Sequence, residues 1–177
     1  MIKVKVLGLL VVLVLFSGCS FSFSVGSNNE VADLKLQVRT IDEETGLTLD
    51  NNELYEHLIK EVEERPESGI PNDFSLQVVD TMNEGKEDAA LIFLAINRTK
   101  KPMKNITLSF TMGSKDGEML WENEPIIMDE SIYGVIQPDS AVPLLLRITP
   151  EMTELLSRLN DDNLMMKIED FDYEVGE

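Results

Sequence analysis

Residues 89–96 read Ala89-Ala90-Leu91-Ile92-Phe93-Leu94-Ala95-Ile96, an unbroken apolar run bounded by polar turns. Side chains of a strand point alternately to its two faces. A strand with no polar position in that alternation must be covered on both sides. This reading places 89–96 at the centre of the fold, and the neighbouring segments follow from it. Upstream, Phe74, Leu76 and Val78 alternate with polar residues as a half-buried strand does. Downstream, Asn97-Arg98-Thr99-Lys100-Lys101-Pro102 has the chemistry of a turn, and the Asn97 side chain suits a hydrogen bond into it. Ile106, Leu108, Phe110 and Met112 alternate next, with Thr107, Ser109 and Thr111 between them. Lys115-Asp116-Gly117 predicts a tight reversal. Glu118 to Glu122 returns, and Pro125 to Met128 reads as a further short strand. The turn Gln137-Pro138-Asp139-Ser140 leads into a strand over Val142 to Ile148, and Leu164 to Tyr173 forms the last one.

Three segments frame this β-rich body. Val31 to Ile41 alternates, with Leu34, Leu36 and Val38 on one side, and predicts a strand that Asp42 to Gly46 breaks. Asp50 and Glu53 have the spacing of a capping box. Leu54, Leu58 and Val62, widened by Tyr55 and Ile59, then mark the buried stripe of a helix over about 51–64. Pro66 ends it, because the residue before proline avoids helical geometry. Glu61, Glu63 and Glu64 form its solvated face. Thr149-Pro150-Glu151 starts a second helix, over about 150–159, buried through Met152, Leu155, Leu156 and Leu159 and ended by Asn160 to Asn163. Short strands at regular spacing, with turns between them, predict a mainly β sandwich decorated by two helices, a single domain over 31–177.

Charge narrows the partners. The chain of 177 residues carries 33 Asp and Glu against 15 Lys and Arg, a net charge of −18. Nucleic acid is bound through cations that displace counterions from phosphate, so this balance excludes it as a partner. Anionic lipid repels the chain as well, and any membrane attachment must be hydrophobic or covalent. At 43% hydrophobic and 27% charged residues, the composition is that of a folded chain.

The N-terminus offers such an attachment. Met1-Ile2-Lys3-Val4-Lys5 is basic, and Val6 to Phe16 is an apolar run of 11 residues. Small residues Ser17 and Gly18 follow, then Cys19, the single cysteine of the chain. Spanning a bilayer takes about 20 apolar residues, so the pattern is that of a signal peptide over 1–18. Phe16-Ser17-Gly18-Cys19 resembles the lipobox of bacterial lipoproteins, with phenylalanine where leucine is usual. The resemblance implies a diacylglyceryl group on the Cys19 thiol, cleavage between Gly18 and Cys19, and a lipid-anchored protein on the extracytoplasmic face of the cell membrane. Two acyl chains suffice for stable anchoring, where one does not. Ser20 to Glu30, rich in Ser, Asn and Gly, reads with Cys19 as a flexible tether over 19–30. One cysteine excludes an internal disulfide.

A second resemblance covers about residues 74–148. Asn97, Lys101-Pro102, Asn105-Ile106, Lys115-Asp116-Gly117 and Pro138-Asp139-Ser140 match points in the immunoglobulin-like domains of bacterial lipoproteins, including the FxLYD type. Phe110-Thr111-Met112-Gly113 departs from that type's own signature. The resemblance implies an immunoglobulin-like sandwich in the cell envelope and brings no catalytic residues with it.

No catalytic, cofactor or metal constellation emerges from the residues themselves. The one histidine, His57, falls at the edge of a helical stripe and reads as a boundary residue. Zinc of the usual kind needs more His and Cys than one of each. Asp161-Asp162 with Asn160 and Asn163, and the pair Asp129-Glu130, do not have the spacing of a calcium loop. Met112, Met152 and Met166 fall on apolar faces, where methionine fills gaps rather than binding copper. The expectation is a non-enzymatic envelope module that binds a protein or a cell-wall component. A wall-glycan hydrolase and a purely structural spacer stand as alternatives.

Overall fold

The structure, a computed structural model, describes residues 32–177. It is mainly β, a sandwich of two sheets with four helices. The elements run β1 (Lys35–Leu36), α1 (Thr40–Glu44), α2 (Glu53–Glu64), β2 (Phe74–Met82), β3 (Ala90–Asn97), β4 (Met103–Ser114), β5 (Met119–Met128), α3 (Glu130–Tyr133), β6 (Ser140–Arg147), α4 (Pro150–Leu156) and β7 (Leu164–Val175). One sheet has the order β1-β6-β3-β2 and the other β5-β4-β7. From β2 onward every pairing within the two sheets is antiparallel. Strand β1 pairs parallel to β6 at one edge.

Strand β3 is buried along its whole length. Leu91, Phe93 and Ala95 face the space between the sheets, while Ile92, Leu94 and Ile96 face outward beneath Leu58 and Val62 of α2. The unbroken apolar run is therefore the signature of a sheet with a second sheet on one face and a helix on the other. Phe93 stands edge-on to Phe110 of β4, ring centres 5.5 Å apart, and joins the two sheets. Burying each such side chain contributes roughly 1.5–3 kcal/mol.

Three of the four sheet edges, β2, β5 and β7, are blunted. Strand β5 runs unbroken through Pro125, so Pro125–Met128 is its second half and not a separate strand. Proline is tolerated there because β5 is an edge. Strand β2 has a register shift between Val78 and Asp80, and β7 carries Glu169, Asp170, Asp172 and Glu174. Bulges, proline and charge all discourage pairing with another chain.

Three expectations change. Residues 31–41 do not form one strand: β1 is two residues long, and Thr40–Glu44 is helical. The chain leaves the sheet because the Arg39 amide donates to the Tyr55 hydroxyl at 3.0 Å, and its side chain grips Asp42. Helix α2 is capped by Asn52, not Asp50; Asn52 Oδ1 accepts from the amides of Leu54 at 3.0 Å and Tyr55 at 3.3 Å. Helix α4 starts as read, with the Thr149 hydroxyl accepting from the Met152 amide, but ends at Leu156. Beyond it the Arg158 and Leu159 amides bond three residues back, to Leu155 and Leu156, tightening the chain into turns.

Candidate functional site

A pocket of about 750 Å³ lies beside β1. That lies within the range of small-ligand sites. Leu36, Gln37 and Val38 line one part of it, Glu43 and the 46–50 loop a second, and Tyr133 to Val135 a third. Its residues come from three separate stretches of chain, and each is held by its own hydrogen bonds.

The 46–50 loop is fixed locally. The Leu47 amide donates to Asp42 O at 3.0 Å. Asn51 Oδ1 accepts from the Thr48 amide at 2.8 Å, and its Nδ2 donates to Gly46 O at 3.0 Å. Gln37 ties β1 to the opposite side. Its Nε2 donates to Val135 O at 3.1 Å, and its Oε1 accepts from the Gln137 amide at 2.8 Å. Gly134 has φ of 74°, and a Cβ there would meet the Thr40 hydroxyl at 2.6 Å, so only glycine lets α1 and α3 approach this closely.

Behind the pocket sits a polar node. Arg39 Nε and Nη2 donate to the two oxygens of Asp42, at 2.7 and 3.1 Å. The Tyr55 hydroxyl, on α2, donates to Asp42 Oδ2 at 2.6 Å. Burial, followed by the hydrogen bond to Asp42, pushes the Tyr55 phenol up to about 12. Burial opposes ionisation of Asp42, but the bonds from Arg39 and Tyr55 outweigh it and hold the carboxyl below its ordinary value. Burial also raises Tyr133, against the pull of the Arg39 guanidinium.

This node predicts a two-sided pH dependence. An unfolded tyrosine ionises near 10, whereas folded Tyr55 does so near 12. Between those values the unfolded chain has released a proton that the folded chain keeps, so stability falls as pH rises from about 10 to about 12. Asp42 acts at the other end. Its contribution is complete above the unfolded carboxyl value and is lost as pH falls through its lower folded value. Urea midpoints measured across pH should show both declines, and Tyr55→Phe should flatten the alkaline one.

The pocket's charged lining residues are Glu43 and Asp50, with no Lys or Arg among them. It therefore presents negative potential over a partly apolar surface that includes Leu36, Val38, Leu47 and Leu49. The alternation of Leu36 and Val38 predicts one face of a strand and 42–46 a break, so the site is not visible in the sequence. One signal was present: the acids Asp42 and Glu43 with Gly46 just beyond suit the first turn and the end of a short helix.

Other singled-out residues lie elsewhere. Gly18 and Cys19, the cleavage and lipidation positions, are outside the described residues. His57 is at the rim of α2, 3.3 Å from Asp80, with its Nε2 not aligned for a hydrogen bond. Asp161 and Asp162 are exposed in the turn before β7, and Asp129 caps α3 through the Ser131 amide at 2.8 Å. No group of three or more His, Cys, Asp or Glu that could hold a metal occurs among the described residues. Met112 is buried between the sheets, and Met152 and Met166 pack against the same core. No described helix is long and apolar enough to cross a membrane.

The chain matches no protein-family model, no curated protein and no solved structure.

Proposed function

We propose that this protein is a lipid-anchored, extracytoplasmic binding module, tethered through Cys19 and non-enzymatic, whose partner in the cell envelope engages the pocket beside β1. The observation that carries this reading is the pocket's construction. A cavity of about 750 Å³ is held open by Gln37, Asn51 and the Arg39–Asp42–Tyr55 node, with Gly134 kept small for close approach. Preorganisation of this kind lowers the ordering cost of binding. The N-terminal pattern ending at Cys19 supports the anchor and the location.

Crosslinking in intact cells tests it. A photoreactive residue at Thr48, exposed on the pocket's rim, should capture a specific adduct. The same group at Ile127, 68% exposed on β5, should not. Identical capture from both positions, or none from Thr48, would remove the binding role. In the same cells Cys19→Ser should leave the protein unprocessed or released. Normal cleavage with full membrane retention would remove the anchor.

A further inference from the structure

Strand β1 is an edge with one side in use. Lys35 and Gln37 donate their amides to Asp139 O at 3.0 Å and Ala141 O at 2.8 Å, toward β6. In this parallel register the N–H and C=O of Leu36 point away from β6. Neither Leu36 nor Val38 has a backbone partner on that side among the described residues. Both residues line the pocket. The other sheet edges carry bulges, Pro125 or a row of acids, whereas Leu36-Gln37-Val38 carries none of these. An open edge is a template for an added strand.

Two further features select what could be added. The Leu36, Val38, Leu47 and Leu49 lining suits apolar side chains, and Glu43 and Asp50 supply negative charge with no Lys or Arg in the lining, the Arg39 guanidinium behind it being matched by Asp42. The rest of the chain adds to the field, at a net charge of −18. An acidic peptide or an anionic glycan would be repelled.

Taking the pocket as a binding site, as proposed above, we infer that its occupant is a short extended peptide segment bearing Lys or Arg, which pairs with the free edge at Leu36–Val38 and sets its cations against Glu43 and Asp50. Main-chain hydrogen bonds supply the pairing, and the acids choose among sequences. No covalent step is involved.

The test uses the full chain in mild detergent and a blocked pentapeptide, Val-Lys-Val-Lys-Val, as probe. Amide NMR shifts should move at Leu36 and Val38 and across 46–50. Glu43→Gln combined with Asp50→Asn should weaken binding about tenfold, which corresponds to about 1.4 kcal/mol. The peptide with Glu in place of Lys should not bind, and N-methylation of alternate amides should abolish binding. Equal binding of the Glu peptide, undiminished binding of the N-methylated one, shifts confined elsewhere, or no binding at millimolar peptide would each overturn the inference. If the peptide fails while the Thr48 crosslink still forms in cells, the ligand class falls and the pocket's binding role stands. If the crosslink is also absent, both fall.

Discussion

Replacing Arg98 by methionine is expected to cost about 4 kcal/mol of stability, because three backbone carbonyls lose a charged hydrogen-bond donor at once. The Arg98 side chain is 1% exposed, yet four of its five N–H donors are engaged. Nε donates to Ser68 O at 2.8 Å, Nη1 to Ala32 O at 2.6 Å and Asp139 Oδ1 at 3.0 Å, and Nη2 to Pro66 O. One side chain thus joins the chain entering β1, the loop after α2 and the turn before β6 to the end of the central strand. Gly69, at φ of 98°, packs against its stem: a Cβ there would meet Arg98 Cγ at 3.1 Å. Methionine keeps the apolar stem but leaves three carbonyl oxygens without this donor. A domain holds only about 5–15 kcal/mol in total, so a large share would go. Urea unfolding measures it. Arg98→Lys should recover little, because one ammonium cannot span that set of acceptors. Asp139→Asn should cost no more than about 1 kcal/mol, since Asp139 is 38% exposed. A loss for Arg98→Met as small as that for Asp139→Asn would show that the node carries no weight.

Asn97→Ala is the second large effect, at about 3 kcal/mol, the upper range for stranding buried polar groups. Asn97 is 0% exposed at the point where β3 turns toward the other sheet. Its Nδ2 donates to Lys101 O at 2.8 Å and Ile136 O at 3.0 Å. Its Oδ1 accepts from the Thr99 amide at 2.9 Å and the Thr99 hydroxyl at 2.7 Å. The first and the last two shape the crossover between sheets; the Ile136 bond fastens it to the strand bridge between Met103 and Ile136. Truncation strands the Thr99 amide and takes one of two donors from each carbonyl, leaving Lys101 O with the Thr99 hydroxyl at 3.1 Å and Ile136 O with the Met103 amide at 3.0 Å. Thr99→Val, which removes one hydroxyl, should cost about 1 kcal/mol. Because Asn97 and Arg98 adjoin, their double variant should lose less than the two single losses combined. Equal stability of Asn97→Ala and the unaltered chain would dismiss the crossover argument.

Much of the fold was legible because it rests on local regularities. The alternation of Ile106, Leu108, Phe110 and Met112, the reversal at Lys115-Asp116-Gly117 and the Thr149-Pro150 helix start each depend on a few adjacent residues. Asn97 bonded into its own turn as its side-chain chemistry predicts. Arg98 gave no such signal. Its four acceptors come from residues 32, 66, 68 and 139, and nothing in Asn97-Arg98-Thr99 shows that the guanidinium turns inward. Strand β1 failed for a related reason. The alternation of Leu34, Leu36 and Val38 is real, but the Tyr55 hydroxyl and Asp42 draw the chain away after Val38.

From its residues alone, this chain specifies a β-rich body, the doubly covered strand at 89–96 and the N-terminal pattern that ends at Cys19, because side-chain periodicity and local turn chemistry act within a few positions. Only the folded arrangement decides that residues 36–38, 43, 46–50 and 133–135 line one acidic pocket, beside a strand edge that has no backbone partner among the described residues. That pocket depends on hydrogen bonds such as Gln37 to Val135, between groups 98 residues apart, and no short window of sequence contains both partners.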